Sequence, residues 1–143
     1  MHTKIPTAFS VVSKYYDESG ALYDEMTSRA DGCIEIKGEE TKILYREKND
    51  GVVSVTDMTF TQKDRITLKK SGPAKYECVF AVGEKCEFLY YAPPLSFDAQ
   101  ITAISIKNSM CIIGGRIEIE YYMNMGGHNQ KVSIRIDAEA NKK

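Results

Sequence analysis

The sequence predicts an all-β fold, an antiparallel meander that closes into a barrel or packs as a sandwich. Three observations predict it. Period-2 alternation of apolar and polar residues recurs along the chain, and no window of a dozen residues carries a period-3.6 stripe with caps. Turn signals separate the alternating runs at close spacing. Two runs change phase midway: Val53 and Val55 give way to Met58 and Phe60, and Ile101 and Ala103 to Ile104 and Ile106. Such switches suggest bulges, which bend strands and let a sheet coil; a strand buried on both faces would read similarly. The 143 residues suggest one domain, 1–143, long enough to bury a core without disulfides or metal.

Each run is bounded by the turn that ends it. Residues 8–16 stop before Glu18-Ser19-Gly20, 22–29 before Asp31-Gly32, 33–37 at Lys37-Gly38, and 42–48 before Asn49-Asp50-Gly51. Residues 52–60 stop before Gln62-Lys63-Asp64, 65–70 before Ser71-Gly72-Pro73, and 75–82 before Gly83-Glu84. Residues 86–92 and 97–107 follow, the latter ending at Lys107-Asn108-Ser109, and then 110–124 and 130–138. Gly, Asn, Asp, Ser and Pro cluster at these joints because they accept the backbone angles of tight turns.

Two hairpins admit a register. Ile117, Ile119, Tyr121 and Met123 share one face, as do Val132, Ile134 and Ile136. Opposed residues of an antiparallel pair lie on the same face. Opposing Met123 to Val132, Tyr121 to Ile134 and Ile119 to Ile136 leaves Gly127-His128 as a two-residue loop, with Gly at the first central position of a type II′ turn. His128 is then a solvated hairpin tip. On the other face Glu120 opposes Arg135 and Arg116 opposes Glu139, while Glu118 meets Asp137 unfavourably. This charged face reads as solvent-exposed, or as a polar pocket lining if it points inward. In the second hairpin, a loop Gly83-Glu84-Lys85 opposes Val82 to Cys86, Phe80 to Phe88 and Cys78 to Tyr90. It collects Tyr76, Cys78, Phe80, Val82, Cys86, Phe88 and Tyr90 on one face, with Cys78 and Cys86 about two rungs apart and too far to bridge.

Composition narrows the functions. Nineteen Lys and Arg are scattered among twenty Asp and Glu, for a net charge of −1. No basic stripe suggests nucleic-acid binding. No run approaches the roughly 18 apolar residues of a membrane helix, and the N-terminus lacks a signal-peptide core, so the expected location is cytoplasmic. Cys33, Cys78, Cys86 and Cys111 fit no zinc spacing and read as reduced, mostly buried thiols. No metal or cofactor is expected. His2, at a loose chain end, and His128 have no catalytic setting. Of the carboxylate pairs only Glu118 and Glu120 converge, so the chain reads as a non-enzyme.

Two functional readings remain. Tyr76, Phe80, Phe88, Tyr90 and Tyr121 could line a cavity for a small apolar or aromatic ligand, with Glu120 and Arg135 as polar lining. Alternatively these side chains fill the barrel. The protein would then work as a protein-interaction or regulatory module through its surface or a sheet edge, using residues such as Tyr16, Tyr91 and Tyr122, with homodimerisation the simplest form.

Several segments carry a family resemblance: Tyr45-Arg46-Glu47 followed by Gly51, "ITLKKSG" (66–72), "CVFAVGEKC" (78–86), "YYAPPLSFDAQITAISI" (90–106) and "GGRIEIEYYMNMGG" (114–127). In this order and spacing, over about residues 20–138, the chain resembles the YwiB-like family of uncharacterised bacterial proteins, domain of unknown function 1934. The family has Arg where this chain has Lys70, and Thr-Pro-Tyr-Gly where it has Ala92-Pro93-Pro94-Leu95. The resemblance implies a calycin-like, lipocalin-type antiparallel barrel, here of about eight to ten strands without substantial helix. It implies no activity.

Overall fold

A computed structural model describes residues 2–49 and 51–140. These form ten antiparallel strands and no helix: β1 His2–Tyr16, β2 Leu22–Lys37, β3 Glu40–Asn49, β4 Val52–Phe60, β5 Arg65–Ser71, β6 Tyr76–Ala81, β7 Lys85–Ala92, β8 Leu95–Asn108, β9 Gly114–Met125 and β10 His128–Ala140. They make one sheet in the order β6-β5-β4-β3-β2-β1-β10-β9-β8-β7. The sheet curls until its end strands meet, giving a nearly closed barrel. Consecutive strands run antiparallel, so the β1–β2, β3–β4, β5–β6, β7–β8 and β9–β10 turns share one end, termed the upper end below.

The alternation read from the sequence is the inside–outside alternation of the wall. Ile34, Ile43, Ile66, Ile117, Ile119 and Ile136 are fully buried and pack the lower interior with Phe9, and buried Val132, Met58 and Phe80 continue that packing upward. At roughly 25 cal/mol per Å² of apolar area, each such side chain contributes on the order of 2 kcal/mol.

Several expectations are corrected. The predicted 22–29 and 33–37 are one strand, because Asp31-Gly32 is not a turn. Gly32 lies mid-strand opposite Tyr45, and a Cβ there would sit 1.8 Å from the Leu44 carbonyl oxygen. Glycine is present because β3 approaches too closely for any side chain. The phase switch in β8 is a bulge: the β8–β9 register shifts between Ala103 and Ser105. The one in β4 is not, since both its ladders run in unbroken register; Val53 points outward and Thr56, Met58 and Phe60 inward. Met110–Ile113 belong to the β8–β9 connection, where Cys111 bridges Gly114. Of the predicted turn 49–51, residue 50 lies outside the described residues. His2 is held in β1 opposite Lys37, its Nε2 3.0 Å from Glu35. Cys33 and Cys78 are buried, Cys86 is half-buried and Cys111 is exposed.

The β9–β10 register is two residues from the predicted one. Val132 opposes Tyr121, Ile134 opposes Ile119, and His128 opposes Met125. The loop is Gly126-Gly127, with φ of +61° and +85°. Positive φ at both central residues is the type I′ condition, whose twist matches the flanking strands, and two glycines meet it without strain. Glu120 therefore opposes Ser133, Glu118 opposes Arg135, and Arg116 opposes Asp137.

The predicted β6–β7 hairpin ladder does not form. These strands are the two ends of the sheet, joined by the single antiparallel bridge Lys75–Tyr91. The turn between them is instead held to β8, with Gly83 N donating to the Ala103 carbonyl at 3.0 Å.

Gly32→Ala is expected to cost about 3 kcal/mol or more, the upper range for overpacking a close contact. Gly126→Asn, which suits a type I′ turn, is expected to stay within about 1 kcal/mol of the parent. Urea denaturation of both variants checks the pair.

Candidate functional site

The inner face changes character along the barrel. Inward positions alternate by two, so Ile43 is followed upward by Tyr45 and Glu47, Ile66 by Leu68 and Lys70, and Phe60 by Met58 and Thr56. The lower interior is aliphatic and closed. The upper interior is aromatic on one side and polar on the other.

The aromatic side is built by β6, β7 and β9. Tyr76, Phe80, Phe88, Tyr90 and Tyr121, predicted as lining residues, converge on a cavity of about 220 Å³ together with Ile101 and Met123. Tyr76 stacks on Tyr90 with centroids 5.0 Å apart and tilts against Phe88 at 5.6 Å. Phe80 meets Tyr121 at 4.9 Å. Such pairs are worth about 0.5–1.5 kcal/mol beyond area burial, so the rings stand as fixed walls.

The polar side is a more open cleft of about 550 Å³, whose lining includes Ser28, Tyr45, Glu47, Thr56, Lys70 and Tyr76. Tyr15, Leu68 and Tyr76 line both spaces, so the two adjoin. The ladder aligns a single row across four strands: Tyr45 opposes Thr56, Thr56 opposes Lys70, and Lys70 opposes Tyr76. Glu47 sits one inward position above Tyr45. Its Oε2 accepts a hydrogen bond from the Ser28 hydroxyl, and its Oε1 lies 3.8 Å from Lys70 Nζ. Thr56 is 2% exposed; its Oγ1 faces the Tyr45 hydroxyl but makes no hydrogen bond of good geometry among the described residues. The mouth arises where β2 and β3 part: β3 pairs with β2 only over Asp31–Lys37, leaving Leu22–Ala30 of β2 without a β3 partner.

Burial controls the ionisation of this interior. It pushes the hydroxyls of Tyr45, Tyr76 and Tyr121 well above the usual tyrosine range, helped at Tyr45 by the Glu47 carboxylate and slightly offset there by Thr56, and helped at Tyr76 by Cys78. Tyr15 is also raised by burial, partly offset by a Ser13 hydrogen bond. The Cys78 thiol is pushed up to about 12, by burial first and then by Cys86.

The structure separates two predicted residues from the rest. Glu120 and Arg135 lie on the outer face, in a charged patch with Lys107 and Glu118. Glu120 pairs with Lys131 at 3.5 Å and Arg135 with Asp137 at 3.2 Å. Conversely, the functional reading of the sequence missed Ser28, Glu47, Thr56 and Lys70. The signal was present: Glu47 and Lys70 each stand two residues beyond an inward apolar position, and both fall in segments singled out above. Among the described residues no group of three or more His, Cys, Asp or Glu is placed to hold a metal, and no helix is long and apolar enough to cross a membrane.

Fold and site define a class: an antiparallel ten-stranded barrel with a packed lower interior and a partly hollow upper one. Residues 10–136 match the family described as domain of unknown function (DUF1934), and the chain belongs to that family. The crystal structure of ywiB protein from Bacillus subtilis has the same fold, with TM-score 0.84 and 21% identity over 97% of this chain and 94% of that one. No curated protein sequence matches the chain.

The raised acid groups set a pH dependence. In the unfolded chain Cys and Tyr lose protons near pH 8.5 and 10, while Cys78, Tyr45, Tyr76 and Tyr121 keep theirs in the fold. The native state then binds more protons, so stability falls as pH rises. The melting temperature is expected to hold between pH 6 and 8 and to fall by several degrees from about pH 9 to 11. Y76F is expected to reduce that slope by about one proton, measured by calorimetry across the pH series.

Proposed function

We propose that this is a cytoplasmic, calycin-like barrel that binds a small molecule with an apolar or aromatic body in its upper interior, without catalysing a reaction on it. The observation that carries this reading is the Thr56 hydroxyl, buried, without a hydrogen bond of good geometry among the described residues, and lining a cleft that adjoins the aromatic cavity. A buried hydroxyl without a partner costs about 1–3 kcal/mol, a cost a bound polar group would remove. The cleft volume of about 550 Å³ lies within the roughly 300–1,000 Å³ of ligand pockets. The Tyr76, Phe80, Phe88, Tyr90 and Tyr121 rings supply the apolar contact. Neither His2 nor His128 lines either space, which supports binding rather than acid–base chemistry.

A second reading has its own observation. The β2 segment Leu22–Ala30, without a β3 partner, exposes Leu22, Tyr23 and Met26 by half or more, and an open strand edge invites another strand. Under this reading the barrel is a module that pairs through β2, in its simplest form as a homodimer.

Thr56→Val separates the readings. If the hydroxyl serves a ligand, T56V is expected to raise the stability of the empty protein by about 1 kcal/mol and to abolish any co-purifying mass in native mass spectra of protein from its own host. A bare-chain mass for the parent together with a concentration-dependent dimer would instead favour the β2 edge.

A further inference from the structure

Resting on the binding reading above, we infer that the ligand's head group is uncharged and presents a hydrogen-bond donor beside an acceptor, as a primary carboxamide or the lactam edge of a heteroaromatic ring does. Glu47 and Lys70 carry the inference. Their charged atoms are 3.8 Å apart, too far for a hydrogen bond but close enough to hold each other in place. Glu47 has spent one oxygen on Ser28 and keeps the other facing Lys70 Nζ, which makes no hydrogen bond among the described residues. Thr56, the cross-strand neighbour of Lys70, adds a hydroxyl that can donate or accept. The pocket thus offers an acceptor, a donor and an ambivalent group within one small area.

Charge selects among head groups. The charged side chains facing the cleft are Glu25 at the exposed rim, Glu47 and Lys70. A carboxylate would satisfy Lys70 while meeting Glu47, itself only 12% exposed at the side chain. An ammonium would satisfy Glu47 and meet Lys70. Either leaves one like-charge contact in a partly desolvated site, where removing charge from water is costly. An amide answers both at once: its N–H donates to Glu47 Oε1, its C=O accepts from Lys70 Nζ, and no net charge is added. A zwitterion also matches in sign but must strip water from two full charges. The aromatic cavity beside Tyr76 takes the ring, and the shared wall of Tyr15, Leu68 and Tyr76 sets a short linker between ring and head.

The test is an amide-detected NMR titration of the full chain with matched probes: 3-phenylpropanamide, 3-phenylpropanoate, 3-phenylpropylamine, phenylalanine, 2-quinolone and toluene. The amide is expected to bind at least tenfold more tightly than the anion, the cation and the zwitterion, with shifts at Thr56, Lys70 and Tyr76. The double variant E47L/K70M is expected to bring that preference within twofold while toluene binding persists. Quinolone matching or exceeding the amide would assign the lactam edge; weaker quinolone would assign the open carboxamide. A charged or zwitterionic probe binding as tightly as the amide, with toluene also bound, would overturn the head-group inference and leave the binding reading standing. Failure of every probe, toluene included, would overturn both.

Discussion

The constraint on which this structure depends is closure. A ten-stranded antiparallel sheet has two edges, and here they meet through one bridge, Lys75 with Tyr91. A full ladder would have satisfied the β6 and β7 backbone groups along the seam. Instead the seam is sealed by side chains. Cys86 Sγ accepts the Val79 N–H at 3.3 Å, and Tyr76 on β6 lies against Phe88 and Tyr90 on β7. The aromatic cluster therefore has a structural task as well as any task toward a ligand, because it binds together what the backbone does not. It also explains why rings occupy these positions: aliphatic residues would not span a gap where the strands diverge.

The polar row above it has no comparable structural account. Replacing buried ionic or hydroxyl groups by apolar ones of similar volume is often neutral or stabilising, and an orphaned hydroxyl has a cost and no local return. Tyr45, Thr56, Lys70 and Tyr76 nonetheless stand in one register across four strands, on a face whose lower half is aliphatic. The change in chemistry happens at one height in the barrel, where β2 leaves β3 and the wall opens. Polarity at an opening next to an apolar cavity is what supports the binding function proposed above.

Much of the fold was legible because alternation by two is a direct imprint of a wall with one dry face. That signal marked a run in each of the ten strands, splitting β2 in two, and gathered Tyr76, Phe80, Phe88 and Tyr90 on one face. Its failures have local causes. Asp31-Gly32 has the composition of a turn, but Gly32 is needed for a close strand approach to Leu44, and composition does not distinguish the two uses of glycine. The β6–β7 turn carries every local mark of a hairpin, yet whether neighbouring strands pair is decided by the closure of the whole sheet, a long-range property. Glu47 and Lys70 were visible as motif residues but not as lining, because charged residues at strand ends are ordinarily solvated.

The β9–β10 hairpin shows how register and facing are decided by different forces. Shifting the pairing by two residues keeps every side chain on its face, so the apolar pattern of Ile117, Ile119 and Tyr121 is indifferent to it. What distinguishes the two registers lies elsewhere. One loop places His128 within the turn; the other gives both positive-φ sites to glycine. One register sets Glu118 against Asp137; the observed one sets Arg116 there, with Nε 2.6 Å from Oδ1, and sets Glu118 against Arg135. Exposed pairs of this kind contribute only about 0–1 kcal/mol each, far less than the core. They suffice because the core does not vote on the choice. The outer charges thus act as a register lock, which accounts for Glu120 and Arg135 without assigning them to the interior.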